Sequence, residues 1–560
     1  MATSLRVQYE VTKGDLFLIS SAVALSVHLV FKKYEPRTPS VHIALLGLPP
    51  IMLSVPFQQY FGSFGAILIT CIVFWTTLSL SVVLYRISPF HPLGKYPGPL
   101  LHKITRLSFT LISVQGRQHT HIQQLHKRYG DIVRIGPNEI SICNVTAVGP
   151  VLGTPGFLKS EAYSGRNLRA PGRSLLSSVG EEHAEKRKRW NRAFSVPALK
   201  NYEDIISRRA VQFVNLLARE KVLDLGVCFS WFTFDLMSDM AFGGGPNMLE
   251  QGDEDGLWRV MEAGLVEGNF FANLPWIASY ARNFSMFGRD VRKLRAYCIG
   301  RARERVKNGS LVKDLFYYLN NEDGAEEQSR PLADVVRDGA LAVVAGSDTT
   351  ASVLANLFFY LLRDTEAYTR LQAEVDQFYP PGENPLDTKY HQEMPILNAA
   401  INEALRLMPA VPSGSLRMAP PGGKSVGPFF VPEGTNTYLP LYTLQRDSRN
   451  FSPYPERFWL DRWLIASGMI SPAYAGIDIH AFVHNQEAFI PFSFGPSNCV
   501  GKGLAMQEMR MTVCLVMQRL DIAFAPSYDS NSYEEDLCDF FVVKKAPLLV
   551  DVRVRDTVLA

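Results

Sequence analysis

The sequence predicts a mainly α-helical protein with a small β region, preceded by transmembrane helices at its N-terminus. The 560 residues are 47% hydrophobic and 20% charged, the composition of a folded chain with a large core. Three apolar stretches follow one another within the first 87 residues. The remainder combines long helical stretches with a few short strand-like pieces and has no internal repeat.

The N-terminal stretches predict a membrane anchor over residues 1–87. The last of them carries no charge and has the length that a bilayer-spanning helix needs. Lys32, Lys33 and Arg37 follow the first stretch, which predicts a cytosolic first connection and a cytosolic chain after Arg86. One span with an interfacial segment is the alternative to three. The predicted segments are about 16–31, 41–57 and 64–85.

Residues 88–100, "SPFHPLGKYPGPL", predict a stiff proline-rich hinge rather than a helix. Residues 101–560 then predict one catalytic domain. Strands are predicted near Asp131 and Phe540. Helices are predicted at Arg187–Phe194, Leu225–Phe242, Asp334–Leu362, Ile396–Leu407 and Gly503–Leu520.

Composition also excludes several classes of protein. The seven cysteines are scattered, odd in number and without a CxxC pair, which argues against a disulfide framework or a structural zinc site. A formal net charge of +3 gives no general signal for nucleic-acid binding. These features favour a catalytic region in a reducing compartment.

Cys499 has unusual surroundings in the stretch "FSFGPSNCVG". Gly495 and Gly501 permit tight turns and a close approach of the backbone to a flat ligand. A predicted helix follows, and its positive N-terminal end would stabilise a thiolate, the form of cysteine that binds metals. A buried, inert thiol is the alternative.

Phe492, Gly495, Cys499 and Gly501 match the Phe-x-x-Gly-x-x-x-Cys-x-Gly loop, and here the chain resembles the cytochromes P450. The resemblance implies a heme b cofactor whose iron is bound by the Cys499 thiolate. One position departs from the family. Ser497 stands where the family usually has an arginine or histidine that contacts a heme propionate.

The stretch "AGSDTT", Ala345–Thr350, lies in a long apolar helical segment. The small Ala345 and Gly346 predict a helix that passes close to a ligand. Asp348 and Thr349 resemble the family's acid–alcohol pair, which implies a proton relay to iron-bound dioxygen. A polar pair that faces solvent or bonds back to its own helix is the alternative.

Glu403 and Arg406 lie three residues apart on one predicted helical face. They resemble the family's Glu-x-x-Arg pair, which a second arginine completes. In the register of "PERFWLDRW", Arg462 rather than Arg457 takes that place. The resemblance implies a structural network of Glu403, Arg406 and Arg462.

His183 and Arg187 lie four residues apart in "GEEHAEKRKRW". The family usually has Trp-x-x-x-Arg there, so both are implied to contact the heme propionates, and Arg417 is a further candidate. Trp190 has the wrong spacing for this role. The neighbouring Lys186, Lys188 and Arg189 form either a solvated face or a docking patch for an acidic electron donor.

The resemblance covers about residues 95–550 and is greatest to fungal, basidiomycete-like, membrane-anchored microsomal monooxygenases. It implies electrons from NADPH through NADPH–cytochrome P450 reductase, with cytochrome b5 as a further donor. It also implies an endoplasmic reticulum membrane location with the catalytic domain in the cytosol.

The implied substrate is a small lipophilic molecule of secondary metabolism or a xenobiotic. Segments 160–178 and 257–280, the region before Ala345, and segment 409–416 should line its pocket, with aromatic residues such as Phe270, Phe271 and Trp276. Two alternatives remain. An isomerase or dehydratase of the same family needs no dioxygen, and Asp348 with Thr349 argues against it. A non-enzymatic heme protein needs no proton relay.

Overall fold

Helices make up most of the chain and strands are short, so the predicted fold class is confirmed. The computed structural model describes residues 12–166, 172–282, 284, 287–310, 312–328 and 330–555. Beyond the N-terminal segment, its α-helices are Leu100–Ile104, Leu107–Val114, Gln118–Tyr129, Val148–Leu152, Ala162–Arg166, Gly180–Ala193, Val196–Asn201, Glu203–Arg219, Leu225–Phe242, Met248–Gln251, Leu257–Asn273, Pro275–Ala281, Arg289–Asn308, Leu315–Leu319, Leu332–Arg363, Thr365–Phe378, Pro395–Leu407, Leu441–Leu444, Asp461–Ala466, Lys502–Arg519 and Tyr533–Asp536.

The strands form one five-stranded sheet and several smaller sheets. The five-stranded sheet has the order Ile132–Gly136, Glu139–Ile142, Asn436–Tyr438, Arg417–Met418 and Leu158–Lys159. A three-stranded sheet has the order Leu520–Phe524, Leu549–Val554 and Val222–Asp224. The two-stranded pairs are Phe451–Ser452 with Val483–His484, Cys538–Phe540 with Val542–Lys544, and Lys424–Val426 with Phe429–Val431.

The N-terminal region contains two helical stretches that could cross a membrane. The helix Lys13–Tyr34 and the stretch Pro39–Ile87 have mean hydropathies of 1.8 and 2.3. The second stretch contains both segments predicted at 41–57 and 64–85, and a kink at Gly62, with φ 67° and ψ 170°, separates them. Pro49 and Pro50 do not break it, because they lie at the start of the helix Leu48–Ser54, where proline is tolerated.

A third helix, Leu332–Arg363, is also long and apolar, but it belongs to the core. Within its most apolar window 72% of the residues are buried, against 22% and 17% in the two N-terminal stretches. We call it the central helix.

Polar contacts join the connection between the two N-terminal stretches to the rest of the chain. Arg37 forms an ion pair with Glu161 at 2.9 Å, and its carbonyl oxygen accepts a hydrogen bond from Ser279. The Nδ1 atom of His42 lies 2.7 Å from the hydroxyl of Tyr280. The helix Pro275–Ala281 is therefore held against the anchor.

The central helix packs closely against the helix Leu225–Phe242 because two of its residues are glycines. A Cβ atom at Gly339 would lie 2.7 Å from the ring of Phe242, and one at Gly346 would lie 2.7 Å from the sulfur of Met237. The small size of Gly346 thus serves helix packing. Ala345 and Gly346 also line an interior cavity, so the close approach of this helix to a ligand stays a prediction.

Helix bounds agree with the sequence where capping residues mark both ends. The predicted helix Leu225–Phe242 has these bounds in the structure, because the Asp224 side chain caps its first N–H groups and Gly243 follows with a φ of +70°. The helix predicted at Arg187–Phe194 instead begins at Gly180, because its first turns are rich in charge and carry little apolar pattern.

Glu403 lies between two buried arginines. Its Oε1 is 2.8 Å from Nη2 of Arg406 and 3.4 Å from Nε of Arg462, and all three side chains are fully buried. Its Oε2 accepts a hydrogen bond from the indole of Trp463 at 2.9 Å. Burial acts to raise the pKa of Glu403, but Arg406 and Arg462 outweigh it and lower that pKa.

Arg406 also donates to the carbonyl oxygens of Gln445, Pro455 and Arg457, at 2.8, 2.6 and 3.2 Å. Arg457 therefore takes part through its backbone only. The network ties the helix Pro395–Leu407 to the segment that leads to the cysteine loop.

We expect Glu403→Gln to lower the stability of the protein by about 3–5 kcal/mol, because the change leaves two buried guanidinium groups without their carboxylate. Thermal unfolding of the purified full-length protein, followed by tryptophan fluorescence, measures the loss. Glu456→Gln is the control, since Glu456 pairs with Arg446 at 2.7 Å but is half exposed. Equal losses in the two variants would contradict the assignment.

Candidate functional site

One interior cavity of about 700 Å³ brings together most of the residues singled out in the sequence. It lies between the central helix, the helix Gly180–Ala193 and the loop Phe492–Gly501, which we call the cysteine loop. The predicted residues on its wall are Thr349, Cys499, His183, Arg187, Arg417, Phe492 and Gly501.

The cysteine loop has a fixed backbone. The N–H of Cys499 donates to the carbonyl oxygen of Phe492 at 2.8 Å. Gly495 has a φ of +71°, and a Cβ atom there would collide with the carbonyl oxygen of Leu152. Both facts require glycine at 495, even though Gly495 itself does not line the cavity. The helix Lys502–Arg519 begins directly after the loop.

The thiol of Cys499 is accessible, and the space it contacts is the cavity rather than bulk solvent. Burial raises the pKa of Cys499. The N–H groups of Gly501 and Lys502 and the charge of Arg187 act in the opposite direction. The stabilisation expected from the helix N-terminus is therefore present, but burial outweighs it. A bound metal cation lowers the pKa of a cysteine further.

Four basic side chains surround the cavity near this loop. Lys159 and Arg417 lie directly opposite each other in an antiparallel strand pair. His183 and Arg187 lie one turn apart on the helix Gly180–Ala193. We call these four residues the cationic cluster. Like charges at directly opposed strand positions destabilise a sheet unless a negative charge lies between them.

Burial and mutual repulsion perturb the cationic cluster. Burial, followed by the charges of Arg417 and Arg187, lowers the pKa of Lys159 to about 7. Burial, followed by the charges of Lys159, Arg187 and Arg417, lowers the pKa of His183 to about 4. Among the described residues, no carboxylate offsets the charge of any member. The cationic cluster thus suits a ligand with negative charge, and the two propionate groups of a heme carry such a charge.

Arg187 also forms hydrogen bonds with the cysteine loop. Its guanidinium donates to the carbonyl oxygen of Asn498 at 2.6 Å and to the side-chain oxygen of Asn498 at 2.7 Å. A longer bond of 3.4 Å reaches the carbonyl oxygen of Pro496. Arg187 therefore holds both neighbours of Ser497, the position where the expected basic residue is missing.

Lys159 is the basic residue that sequence reasoning missed. In the sequence it is a single lysine without a motif, and only the strand pairing brings it opposite Arg417. Its Nζ donates to the carbonyl oxygen of Leu175 at 2.7 Å, which holds the ammonium group at the cavity.

The predicted acid–alcohol pair is divided between two faces of the central helix. Thr349 lines the cavity, and its hydroxyl donates to the carbonyl oxygen of Ala345 at 2.7 Å. Asp348 is buried away from the cavity wall and pairs with Nζ of Lys545 at 3.0 Å. Successive residues of a helix point about 100° apart, so the two side chains cannot share one face.

Two further polar groups on the cavity wall were not recognised in the sequence. Glu508 is 1% exposed, and its Oε1 has no hydrogen-bond partner among the described residues. Burial raises the pKa of Glu508 well above its usual range, and Thr350 partly offsets this by a hydrogen bond. Trp190, dismissed on spacing, also lines the cavity and stacks on Phe194 at 5.9 Å.

The predicted pocket segments are only partly correct. Tyr163, Met261 and Val411 line the cavity, while positions 167–171 of the first segment lie outside the described residues. Phe270, Phe271 and Trp276 do not line it. Phe271 packs into a separate cluster with Ala278, and Trp276 is 44% exposed. The helix Leu257–Asn273 turns Phe271 toward this separate cluster and not toward the cavity.

The basic face near Arg187 is largely neutralised within the chain. Lys186 pairs with Glu182 at 2.6 Å, and Arg189 pairs with Glu326 at 2.9 Å. Lys188 alone of these three has no ion pair among the described residues and is exposed. This pairing weakens the argument for a docking patch there.

The chain matches one protein-family model over most of its length. The model is described as Cytochrome P450, and it matches residues 94–551.

Relatives of similar length come from fungi. Cytochrome P450 monooxygenase FCK2 of Fusarium pseudograminearum is 30% identical over 487 residues, covering 86% of this chain and 85% of that protein. Cytochrome P450 67 of Uromyces fabae is 29% identical over 546 residues, covering 93% of this chain and 96% of that protein.

A solved structure described as the cytochrome P450DA heme domain superposes with a TM-score of 0.66. The match covers 82% of this chain and 97% of the solved chain, and the two sequences are 18% identical. At this identity the likeness shows the fold alone.

We expect Lys159→Met to speed the loss of heme from the protein about tenfold or more, because a charge-assisted hydrogen bond contributes about 1.5–3 kcal/mol. The same change should raise the unfolding temperature of the heme-depleted chain, since it removes a buried charge without a counter-charge. Heme transfer to excess apomyoglobin and thermal unfolding measure the two effects.

Lys159→Arg should keep the wild-type rate of heme loss. Lys127→Met, at a side chain that is 67% exposed, is the control for an unspecific change of charge. A wild-type rate in Lys159→Met would show that Lys159 does not contact the propionates.

Proposed function

Because the chain belongs to the cytochrome P450 family, we propose that it is a monooxygenase that inserts one oxygen atom of O2 into a small lipophilic substrate. Members of this family are oxidoreductases that bind heme through a cysteine thiolate. One observation carries the proposal. Cys499, the cationic cluster and Thr349 all line a single, largely apolar cavity.

In this proposal Cys499 is the iron ligand, and Phe492 and Gly501 flank the heme at the same loop. Lys159, Arg417 and His183 bind the propionates. Arg187 contributes charge and also holds the backbone on both sides of Ser497. The cationic cluster therefore replaces the contact that Ser497 cannot make.

When bound, the heme iron supplies the activation of dioxygen, a chemistry that no amino-acid side chain provides. The balanced reaction consumes substrate, O2, two electrons and two protons, and it yields the hydroxylated product and water. The tasks of the chain are therefore to exclude bulk water and to deliver two protons.

The Thr349 hydroxyl is the group on the cavity wall that can pass a proton. It donates to the carbonyl oxygen of Ala345, and rotation about χ1 frees it for a ligand. Asp348 holds an ion pair with Lys545 on the adjacent face and would resupply the proton through this pair or water. Glu508, next to Thr350, is a second acid on the cavity wall, and burial raises its pKa well above the usual range.

The two electrons would come from NADPH through a flavin-containing reductase, with cytochrome b5 as a further donor. A groove of about 850 Å³ lies beside the cysteine loop and is lined by Lys200, Lys502, Arg510 and Phe492. Glu203 on the same wall pairs with Lys200 at 2.5 Å, so Lys502 and Arg510 are the basic residues that suit an acidic partner surface. The N-terminal helices fit an anchor in the endoplasmic reticulum membrane, with this groove in the cytosol.

The fungal relatives favour a role in secondary metabolism, and xenobiotic oxidation is the other role compatible with an apolar cavity. An isomerase or dehydratase would form product without NADPH or O2. A non-enzymatic heme protein would form none.

We expect the reduced carbon monoxide complex of the full-length protein to show a thiolate-type Soret band, and Cys499→Ala to lose it. Difference spectroscopy measures the band. Cys538→Ser, at a half-buried thiol away from the cavity, is the control and should keep it. A missing band in the wild type would overturn heme-thiolate binding, and a band that survives in Cys499→Ala would overturn the ligand assignment.

We expect Thr349→Ala to lower the amount of product formed per NADPH several-fold and to increase peroxide release, because the cavity loses its proton-passing hydroxyl. Parallel assays of NADPH, product and peroxide with reductase measure this coupling. Thr369→Ala removes a similar hydroxyl, which bonds back to Thr365 on an exposed helix, and should leave coupling unchanged. Unchanged coupling in Thr349→Ala would contradict the relay.

A further inference from the structure

Positive charge on the cavity wall extends beyond the cationic cluster. Arg166, Arg295 and Arg303 also line the cavity. Among the described residues, Glu508 is the one acidic side chain on this wall. Burial raises the pKa of Glu508 well above the usual range. Basic side chains therefore far outnumber acidic ones on the cavity wall.

Arg166 ends the short helix Ala162–Arg166 and is held by contacts from two other elements. Its guanidinium carbon lies 4.2 Å from the centre of the Phe541 ring, and its Nη2 donates to Oδ1 of Asn269 at 3.2 Å. Its backbone packs against Gly268 on the same helix as Asn269. A guanidinium carries five N–H donors, so this arrangement leaves donors for a ligand.

Arg166 lacks a full counter-charge. Among the described residues, no carboxylate lies within ion-pair distance of it. The nearby Asp539 has other partners: its carboxylate accepts hydrogen bonds from the Ser413 hydroxyl and from the N–H of Phe541. Burial lowers the pKa of Arg166, while Tyr163, Tyr438 and Asp539 offset this only in part. An unpaired charge in an apolar cavity is costly, and a bound anion removes that cost.

Arg295 and Arg303 lie at the open side of the same cavity. Both belong to the helix Arg289–Asn308, are exposed, and lie eight residues apart, about two helical turns. Leu294 and Ile299 of the same helix also line the cavity. Within the described part of the chain neither arginine forms an ion pair. Exposed cations at a cavity mouth raise the local concentration of anionic ligands.

We propose that the substrate is a lipophilic acid whose carboxylate binds Arg166 while its apolar body occupies the cavity toward Thr349. This inference rests on the proposed monooxygenase function. Arginine binds carboxylates through two parallel hydrogen bonds, and the stacked Phe541 ring leaves the edge of the guanidinium available for them. The apolar residues Val336, Ala340 and Leu341 of the central helix, which line the cavity, contact the body of the substrate.

Matched pairs of acids and primary amides test this, because each pair differs in charge but not in size. Dodecanoic acid with dodecanamide supplies a linear body, and dehydroabietic acid with its amide supplies a polycyclic one. Dissociation constants for the full-length heme-loaded protein come from the Soret difference spectrum. We expect at least one acid to bind ten or more times more tightly than its amide at neutral pH.

Arg166→Met should abolish that preference and leave the affinity for the amide unchanged, whereas Arg166→Lys should keep part of it. Arg128→Met, an exposed arginine outside the cavity, is the control and should keep all of it. The thiolate-type Soret band of each variant shows that it is folded and loaded. The comparison of acid and amide affinities in the wild-type protein tests the proposal even where a variant does not fold.

If no acid binds more tightly than its amide, the proposal is wrong. It is also wrong if Arg166→Met keeps the preference while folded. These outcomes differ from failure of the monooxygenase assignment, in which the wild type lacks the thiolate-type band or shows no NADPH-dependent product from any substrate.

Discussion

Buried positive charge without a counter-charge is the constraint on which the rest of this structure depends. The cationic cluster is drawn from two strands and one helix that are far apart in the sequence. Each member is desolvated, and the chain provides no carboxylate among its described residues to offset them. Such a site costs free energy until a ligand with negative charge binds, so cofactor binding and the stability of the fold are linked.

The Glu403 network is a buried electrostatic system of the opposite kind. Its carboxylate lies between Arg406 and Arg462, and backbone carbonyls bind most of the remaining N–H groups; Nη1 of Arg462 has no hydrogen-bond partner among the described residues. The charges of this network are offset within the chain and need no ligand. The contrast separates a structural role from a binding role: both sites are buried and charged, but only the cationic cluster opens onto a cavity.

The fold and the chemistry of the central site could be predicted because their signals are local. Cys499 stands in a loop with glycines at fixed spacings, and Asp224 and Gly243 mark the ends of the apolar helix Leu225–Phe242. Local patterns were less informative about the direction in which a side chain points. Asp348 and Thr349 are adjacent in sequence, yet one pairs with Lys545 and the other lines the cavity. The role of Phe271 was misjudged for the same reason.

The sequence by itself determined the family, the mainly helical fold, the apolar N-terminal helices and the loop that carries Cys499. Each follows from residue type and spacing along one segment. Only the tertiary structure decided that Lys159 faces Arg417, that Lys545 holds Asp348, and that Arg166 lies against Phe541 in the same cavity. These pairs join residues up to 375 positions apart, as in Arg166 with Phe541. No spacing rule along the chain encodes such contacts, because packing of the helices and pairing of the strands create them.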